Sequence, residues 1–342
     1  MRPGKGSCIM LALRVHGFDG LHQWVLEQAP EVSPGVGEVQ VSVLANAISY
    51  VDLLFARGGY QVKPPLPLVP GTEFTGVVTA LGPGVEGGVQ VGQHVVGMTV
   101  GGAWAERTNV PASAVELLPP HVDMHAASAL PVTYATALYA LKHRGALQVG
   151  ETVLVLGAAG GVGLACMQVA KALGATVVAG VTGDEKMKVA LQEGADYVVD
   201  VGLAEWRAAV QAVVPEGVDV VVDMIGDSFT ETAFRTLRWG GRHLVIGFAG
   251  GNIPAIRSNL PLLKGASLVG VDIRQFRERE PDRARANLAE AVAMLAAGQL
   301  RPRVAQVYPA LDWAKAIRQA QDVSTVGRVV LDWGPHSPKA PG

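Results

Sequence analysis

The chain is predicted to be an α/β protein in two parts, a β-rich part followed by a doubly wound parallel sheet. Three observations predict this. Over roughly the first 130 residues, short apolar or alternating runs stand between glycine and proline punctuation, the pattern of short strands. From residue 152 to residue 271, strand-like and helix-like segments alternate, which is how a parallel sheet with right-handed crossovers is written in sequence. At the head of that alternation lies Val153-Leu154-Val155-Leu156-Gly157-Ala158-Ala159-Gly160-Gly161-Val162-Gly163, a buried strand, a glycine-rich turn and a helix start.

The elements follow in order. Residues 1–13 are basic and then briefly apolar; the apolar run is too short for a signal peptide, and Met10 offers an alternative start. Residues 37–47, 76–80 and 93–98 read as strands of a partly closed barrel. An alanine-rich helical period then runs from 124 to 141. Strands are predicted at 152–156, 176–181, 197–199, 218–223, 243–246 and 267–271, and the helix after the glycine turn at 164–173. Beyond them come a helix at 283–297, a strand at 304–308, a helix at 311–321 and a strand at 327–331. The last two segments return to the first part, and the tail 334–342 is polar and Pro-rich. The predicted boundaries are therefore 1–131 for the first part, 132–271 for the parallel sheet and 272–342 for the return.

Side-chain-free glycines let backbone approach a pyrophosphate, whose charge meets free N–H groups at a helix start. Ala159, Gly160, Gly161, Val162 and Gly163 are thus candidate dinucleotide-binding residues. NAD-specific sites place an acid at the end of the second strand, about 20 residues past the glycines. Here that strand ends Ala179-Gly180-Val181-Thr182-Gly183, without an acid. Thr182 can donate a hydrogen bond and Lys186 a positive charge to a 2′-phosphate, which favours NADPH, although Asp184 and Glu185 lie between them.

Composition excludes several classes. The 342 residues carry a formal net charge of −2, with 17% charged residues, giving no electrostatic case for nucleic acid or an anionic membrane. The arginine-dense stretch 274–285 is interleaved with Glu278, Glu280 and Asp282 and reads as a solvated face. No apolar run reaches the roughly 18 residues a membrane helix needs. The two cysteines, Cys8 and Cys166, make no disulfide framework, and a cytoplasmic location fits. His121 and His125 flank Asp123 at helical spacing, but after Pro119-Pro120 they read as a helix entry, and no metal site is expected.

Further motifs carry a resemblance. Ser49-Tyr50-Val51-Asp52, Arg57-Gly58-Gly59-Tyr60, the run from Leu66 to Val78 with Pro70-Gly71-Thr72-Glu73, and Leu130-Pro131-Val132-Thr133-Tyr134-Ala135-Thr136-Ala137 stand in a fixed order. Together with the glycine turn, Gly240-Gly241-Arg242 and Val245-Ile246-Gly247-Phe248, they resemble the medium-chain dehydrogenase/reductase superfamily. Within it the chain is similar to the zinc-free quinone oxidoreductases related to zeta-crystallin. The resemblance implies a GroES-like β-rich catalytic domain built from both chain ends, a central Rossmann domain, and a homodimer or homotetramer joined through the Rossmann sheet. Zinc alcohol dehydrogenases of the superfamily carry Gly-His-Glu where this chain has Gly71-Thr72-Glu73.

By the same resemblance, Tyr50 and Ser49 belong to the reacting end, Tyr50 as a candidate donor and Ser49 where many relatives carry Asn. Asp52 is expected to fix the loop. Thr136 matches a residue near the nicotinamide carboxamide, and Gly247 and Phe248 follow the fifth strand where backbone can hold it. Val201 stands where many relatives carry Tyr after the third strand, and Arg257 where they carry a second Pro. The implied activity is NADPH-dependent reduction of a quinone or related α,β-unsaturated carbonyl. Reduction of an enoyl thioester or alkenal is the alternative, and there Lys63 or Arg257 would meet a CoA phosphate. A non-catalytic, structural or RNA-binding NADPH protein is the alternative of another class.

Overall fold

The computed structural model describes residues 9–61 and 65–334. Cys8, Lys63 and the tail from residue 335 lie outside the described residues. The chain divides into two compact units, one of residues 1–132 and 304–342, the other of residues 133–303.

The first unit opens with β1 (Ile9–Val15) and β2 (Trp24–Pro30), an antiparallel pair. It continues through β3 (Glu38–Ala47), α1 (Tyr50–Ala56), β4 (Glu73–Leu81), β5 (His94–Met98), β6 (Arg107–Pro111), β7 (Val115–Leu117) and α2 (Met124–Ser128). β3 is the frame of the seven-stranded sheet. One of its edges bonds β4 along residues 39–45; the other bonds β6 at its start and the C-terminal strand β15 (Arg328–Asp332) at its end. β14 (Val304–Pro309) pairs with β15 in parallel, and α11 (Trp313–Gln321) lies between them in sequence. Apolar residues at alternate positions, Val39, Val41 and Val43, point into a core with Phe74, Val95 and Trp104. Trp24 sits with its ring 6.3 Å from those of both Trp104 and Trp313.

The boundary at residue 133 falls inside a π-helical stretch, Leu130–Tyr134; the second unit continues through α3 (Ala135–Leu138) and returns to π geometry at Tyr139–Arg144. Then β8 (Thr152–Leu156), α4 (Gly161–Ala172), β9 (Thr176–Val181), α5 (Asp184–Gln192), β10 (Tyr197–Asp200), α6 (Trp206–Val213), β11 (Val218–Asp223), α7 (Phe229–Thr236), β12 (Leu237–Val245), α8 (Asn259–Lys264) and β13 (Ser267–Gly270) alternate. The six strands run in parallel in the order β10-β9-β8-β11-β12-β13. This is the doubly wound 3-2-1-4-5-6 order, with its switch point between β8 and β11. Helices cover both faces, so central strands are apolar throughout: Val153 to Leu156 and Val220 to Val222 are all fully buried.

α9 (Ile273–Arg279) and α10 (Pro281–Ala296) correct the expected boundary at 272. They belong to the second unit, and the return begins at Val304. Packing explains it: Phe276 stacks on Tyr139 at 4.0 Å, and buried Asn287 donates to the Ala135 carbonyl at 2.9 Å. A second difference is α1, which the strand pattern of the first part did not suggest.

A dinucleotide groove and a buried acid cluster

Two positions of the turn after β8 call for glycine on geometric grounds. Gly157 takes a left-handed φ of 66°. A Cβ on Gly163 would lie 2.2 Å from the Gly157 carbonyl oxygen and 2.7 Å from the Ala158 Cα, so only glycine lets α4 press this closely on the turn. Gly160 is the N-cap of α4 and no side chain caps it. The first-turn N–H groups of Gly161, Val162 and Gly163 therefore point outward with the positive end of a 12-residue helix behind them.

An open groove of about 390 Å³ runs from this turn along the carboxyl ends of the strands. Ala159, Gly160, Thr182 and Lys186 line it, with Val201, Ile225 and Phe229. An uncapped helix start beside a cation and a hydroxyl suits a pyrophosphate and a phosphorylated ribose. The donor set thus fits a nicotinamide dinucleotide. Thr182 does not cap α5; that position belongs to Gly183, with φ 80°. Asp184 and Glu185 are exposed in the first turn of α5, and Glu185 pairs with Lys188 at 2.8 Å.

At the switch point stands a buried acid that the sequence reading passed over. Asp223, the last residue of β11, accepts from the N–H groups of Ile225 (3.0 Å) and Gly226 (2.9 Å) and from the Thr230 hydroxyl (2.6 Å), and pairs with His243 Nε2 at 3.1 Å. Burial works to raise its pKa, but the bonds from His243, Gly226 and Thr230 outweigh it and hold the carboxyl below its ordinary range. Those bonds fix the loop that places Ile225 against the turn, where its Cδ1 is 3.3 Å from the position of a Cβ on Gly157. Asp227, at φ 53°, gives its N–H to the Asn252 carbonyl at 3.1 Å and ties this loop to the one after β12. Half-buried Gly247 and Phe248 open that second loop. Thr136 is buried in α3 between the two π-helical stretches. Burial pushes the Cys166 thiol up to about 12, which leaves it inert.

In the first unit, Ser49 and Asp52 form a capping box at the start of α1. Asp52 Oδ2 accepts the Ser49 N–H, its own N–H goes to Ser49 Oγ, and its Oδ1 accepts the Thr72 N–H at 2.7 Å. Asp52 thus fixes the loop. Ser49 Oγ lies 3.4 Å from Thr72 Oγ1, and both residues are buried. Tyr50, at the first position of α1, is 54% exposed, and its hydroxyl has no partner among the described residues.

Beneath this loop lies Glu73, which no sequence motif marked as ionisable machinery. It is fully buried; Oε1 accepts from Arg328 at 2.5 Å and Oε2 from the Val132 N–H at 2.8 Å. Burial raises its pKa to about 8, against the pull of Arg328 and with help from the charge of Asp52. Asp52 is raised for the same first reason, burial, with the bonds from Ser49 and Thr72 opposing. Among the described residues, no three of His, Cys, Asp and Glu gather as a metal-binding group. His125 instead faces Asp332 at 3.5 Å, and Asp123 caps α2 through the Ala126 N–H.

Comparison with known proteins agrees with this architecture. Residues 35–120 match the family model described as alcohol dehydrogenase GroES-like domain, and residues 161–291 that described as zinc-binding dehydrogenase. Quinone oxidoreductase-like protein 2 of Mus musculus is 36% identical over 306 residues, covering 88% of this chain and 87% of that protein. The crystal structure of a probable oxidoreductase from Mycobacterium abscessus superposes with a TM-score of 0.87 at 34% identity, covering 96% of this chain and 100% of that one. A mycobacterial protein solved in complex with NADPH superposes equally well, with a TM-score of 0.87 at 30% identity over 94% of this chain and 99% of that one. The chain belongs to the medium-chain dehydrogenase/reductase superfamily, in its quinone oxidoreductase-like family.

Proposed function

We propose that the protein is a zinc-independent, NADPH-dependent reductase of a quinone or a related α,β-unsaturated carbonyl. The observation that carries the reading is the groove that joins an uncapped α4 N-terminus to Thr182 and Lys186. The name of the mouse relative and the NADPH complex of the mycobacterial structure point the same way. When bound, the dihydronicotinamide supplies a hydride. The chain's own residues bind and orient: the α4 N-terminus holds the pyrophosphate, and Lys186 and Thr182 the adenosine phosphate. Thr136, Gly247 and Phe248 are assigned to the nicotinamide end.

Zinc independence is supported by the donor chemistry of the Ser49–Thr72 pair. Two neutral hydroxyls 3.4 Å apart, one of them engaged in a helix cap, are poor substitutes for thiolate and imidazole ligands. Polarising the acceptor then falls to hydrogen-bond donors. Tyr50, exposed and with no hydroxyl partner among the described residues, is the assigned donor to the oxygen that gains charge as a quinone becomes a hydroquinone anion. Ser49 holds the backbone that presents it. The reading extends to a cytoplasmic homodimer or homotetramer: β13 leaves an open sheet edge on which Leu268 is 49% exposed.

The test is NADPH oxidation by the purified protein with matched panels of quinones and of enoyl-CoA or enal acceptors, with NADH as control. Rapid turnover with a quinone and little with thioesters supports the reading. Turnover confined to enoyl or enal acceptors moves the assignment to carbon–carbon double-bond reduction, and cofactor binding without turnover supports a non-catalytic role.

A further inference from the structure

Beside Thr182 and Val201, which line the groove, stands a carboxylate that arrives from an unexpected strand. Asp200 is the last residue of β10 and stands opposite Val181 in the parallel register with β9. Its Oδ2 accepts the Gly183 N–H at 3.3 Å and its Oδ1 the Gly202 N–H at 2.8 Å. A Cβ on Gly202 would touch both Asp200 Oδ1, at 3.0 Å, and Thr182 Cγ2, at 3.5 Å, so acid and threonine face the same small space. The third strand thereby delivers a carboxylate to the end of the second, where NAD-specific sites carry their ribose-binding acid. It also takes up the N–H of Gly183, the N-cap of α5, which is otherwise a donor suited to a phosphate. Thr182 and Lys186 line the groove itself.

We propose that Asp200 sets coenzyme selectivity: it favours the free ribose hydroxyls of NADH and opposes the 2′-phosphate of NADPH, so that the site accepts both coenzymes. This rests on the dinucleotide reading of the groove. NADPH is then held by Lys186 and Thr182 against an opposing charge, and the preference for it is narrower than the missing strand-2 acid alone implies. The charge balance agrees, since Lys186 shares the α5 N-terminus with Asp184 and Asp200, while Glu185 is taken up by Lys188.

Isothermal titration of the wild type, Asp200→Asn and Lys186→Ala with NADPH and separately with NADH tests it without recourse to turnover. Asp200→Asn removes the charge and keeps one oxygen for the shorter bond, from the Gly202 N–H, while its NH2 replaces the acceptor of the longer bond from Gly183. It is expected to shift the ratio of the two dissociation constants about five- to tenfold toward NADPH, the scale of one partly screened charge interaction. Lys186→Ala is expected to weaken NADPH and leave NADH within about twofold. Asp200→Ser, with melting temperatures for every variant, separates a charge effect from a disturbed turn. A ratio that moves less than twofold in both Asp200 variants, or moves toward NADH, overturns the proposal. A wild type that binds neither coenzyme overturns the groove reading itself, and the Asp200 proposal with it.

Discussion

Glu73→Gln isolates a buried charge imbalance. Asp52 and Glu73 are both fully buried and Arg328 is 8% exposed, so two carboxylates share one guanidinium away from water. Burial carries Glu73 from 4.5 to about 8, with Arg328 opposing and Asp52 reinforcing. The folded chain therefore keeps a proton that the unfolded chain has released above 4.5. This stabilisation is complete below pH 4.5 and gone above about 8, falling by up to ~1.4 kcal/mol per pH unit between them. From pH 6 to pH 8 the wild type is expected to lose about 2–3 kcal/mol from this source. The glutamine has no proton to keep, so its slope from this site is zero. At pH 6 the wild-type side chain is itself neutral, so the cost of the amide there is the bond it cannot make: its oxygen can still serve Arg328, but its NH2 then meets the Val132 N–H, a loss of about 1–3 kcal/mol. The variant should thus be less stable at pH 6 and gain about 2–3 kcal/mol relative to the wild type by pH 8. Urea unfolding of both proteins at pH 6, 7 and 8 measures it, and a gap that stays constant across the three would refute the retained proton.

Two further expectations concern the second unit. Gly163→Ala gains about 1 kcal/mol of helix propensity but loses roughly 1–3 kcal/mol to overpacking against backbone that cannot rotate away, so melting should change little or fall modestly. Coenzyme affinity should drop at least tenfold as α4 retreats from the turn, and titration showing wild-type affinity would sink the close-approach argument. Asp223→Asn exchanges a four-bond acceptor for an amide whose NH2 meets donors, costing about 2 kcal/mol. Because the native carboxyl is held below its ordinary range, its contribution is present at neutral pH and lost as pH falls through the folded value. The gap between variant and wild type in acid melts should therefore shrink, and a gap that widens in acid would contradict the network.

The doubly wound sheet is legible because buried parallel strands advertise themselves: Val153 to Leu156 and Val220 to Val222 are continuous apolar runs between helical periods. β12 was read too short because its first half, Leu237 to Arg242, carries Arg238, Trp239 and two glycines. α1 was missed because its seven residues are too few to display a period, although Ser49 and Asp52 already spell a capping box. The boundary at 272 failed for a different reason. α9 and α10 are polar enough to read as a separate segment, and only their contacts with Tyr139 and Ala135 assign them to the second unit. Asp223 ends an expected strand and Asp200 follows one directly, but which neighbour each reaches depends on strand order, which no local window contains. Glu73 lay hidden in plain sight, its partner Arg328 being 255 residues away.

The neutral hydroxyls of Ser49 and Thr72 bear on the titration predicted in the first unit. With Ser49 and Thr72 supplying hydroxyls, neither residue adds positive character near Asp52 or draws a cation there. Arg328 is then the guanidinium left to answer two carboxylates, and its reach is spent on Glu73. Asp52 is satisfied by N–H groups of Ser49 and Thr72, which are dipoles and not charges. One negative charge is left uncompensated at two fully buried residues, and protonation is the least costly way to remove it. A divalent cation would remove it differently, by keeping both carboxylates ionised. The capping box at Ser49 and Asp52 thus rests on a proton-holding acid cluster, and the melting temperature should fall across the pH range in which that proton departs.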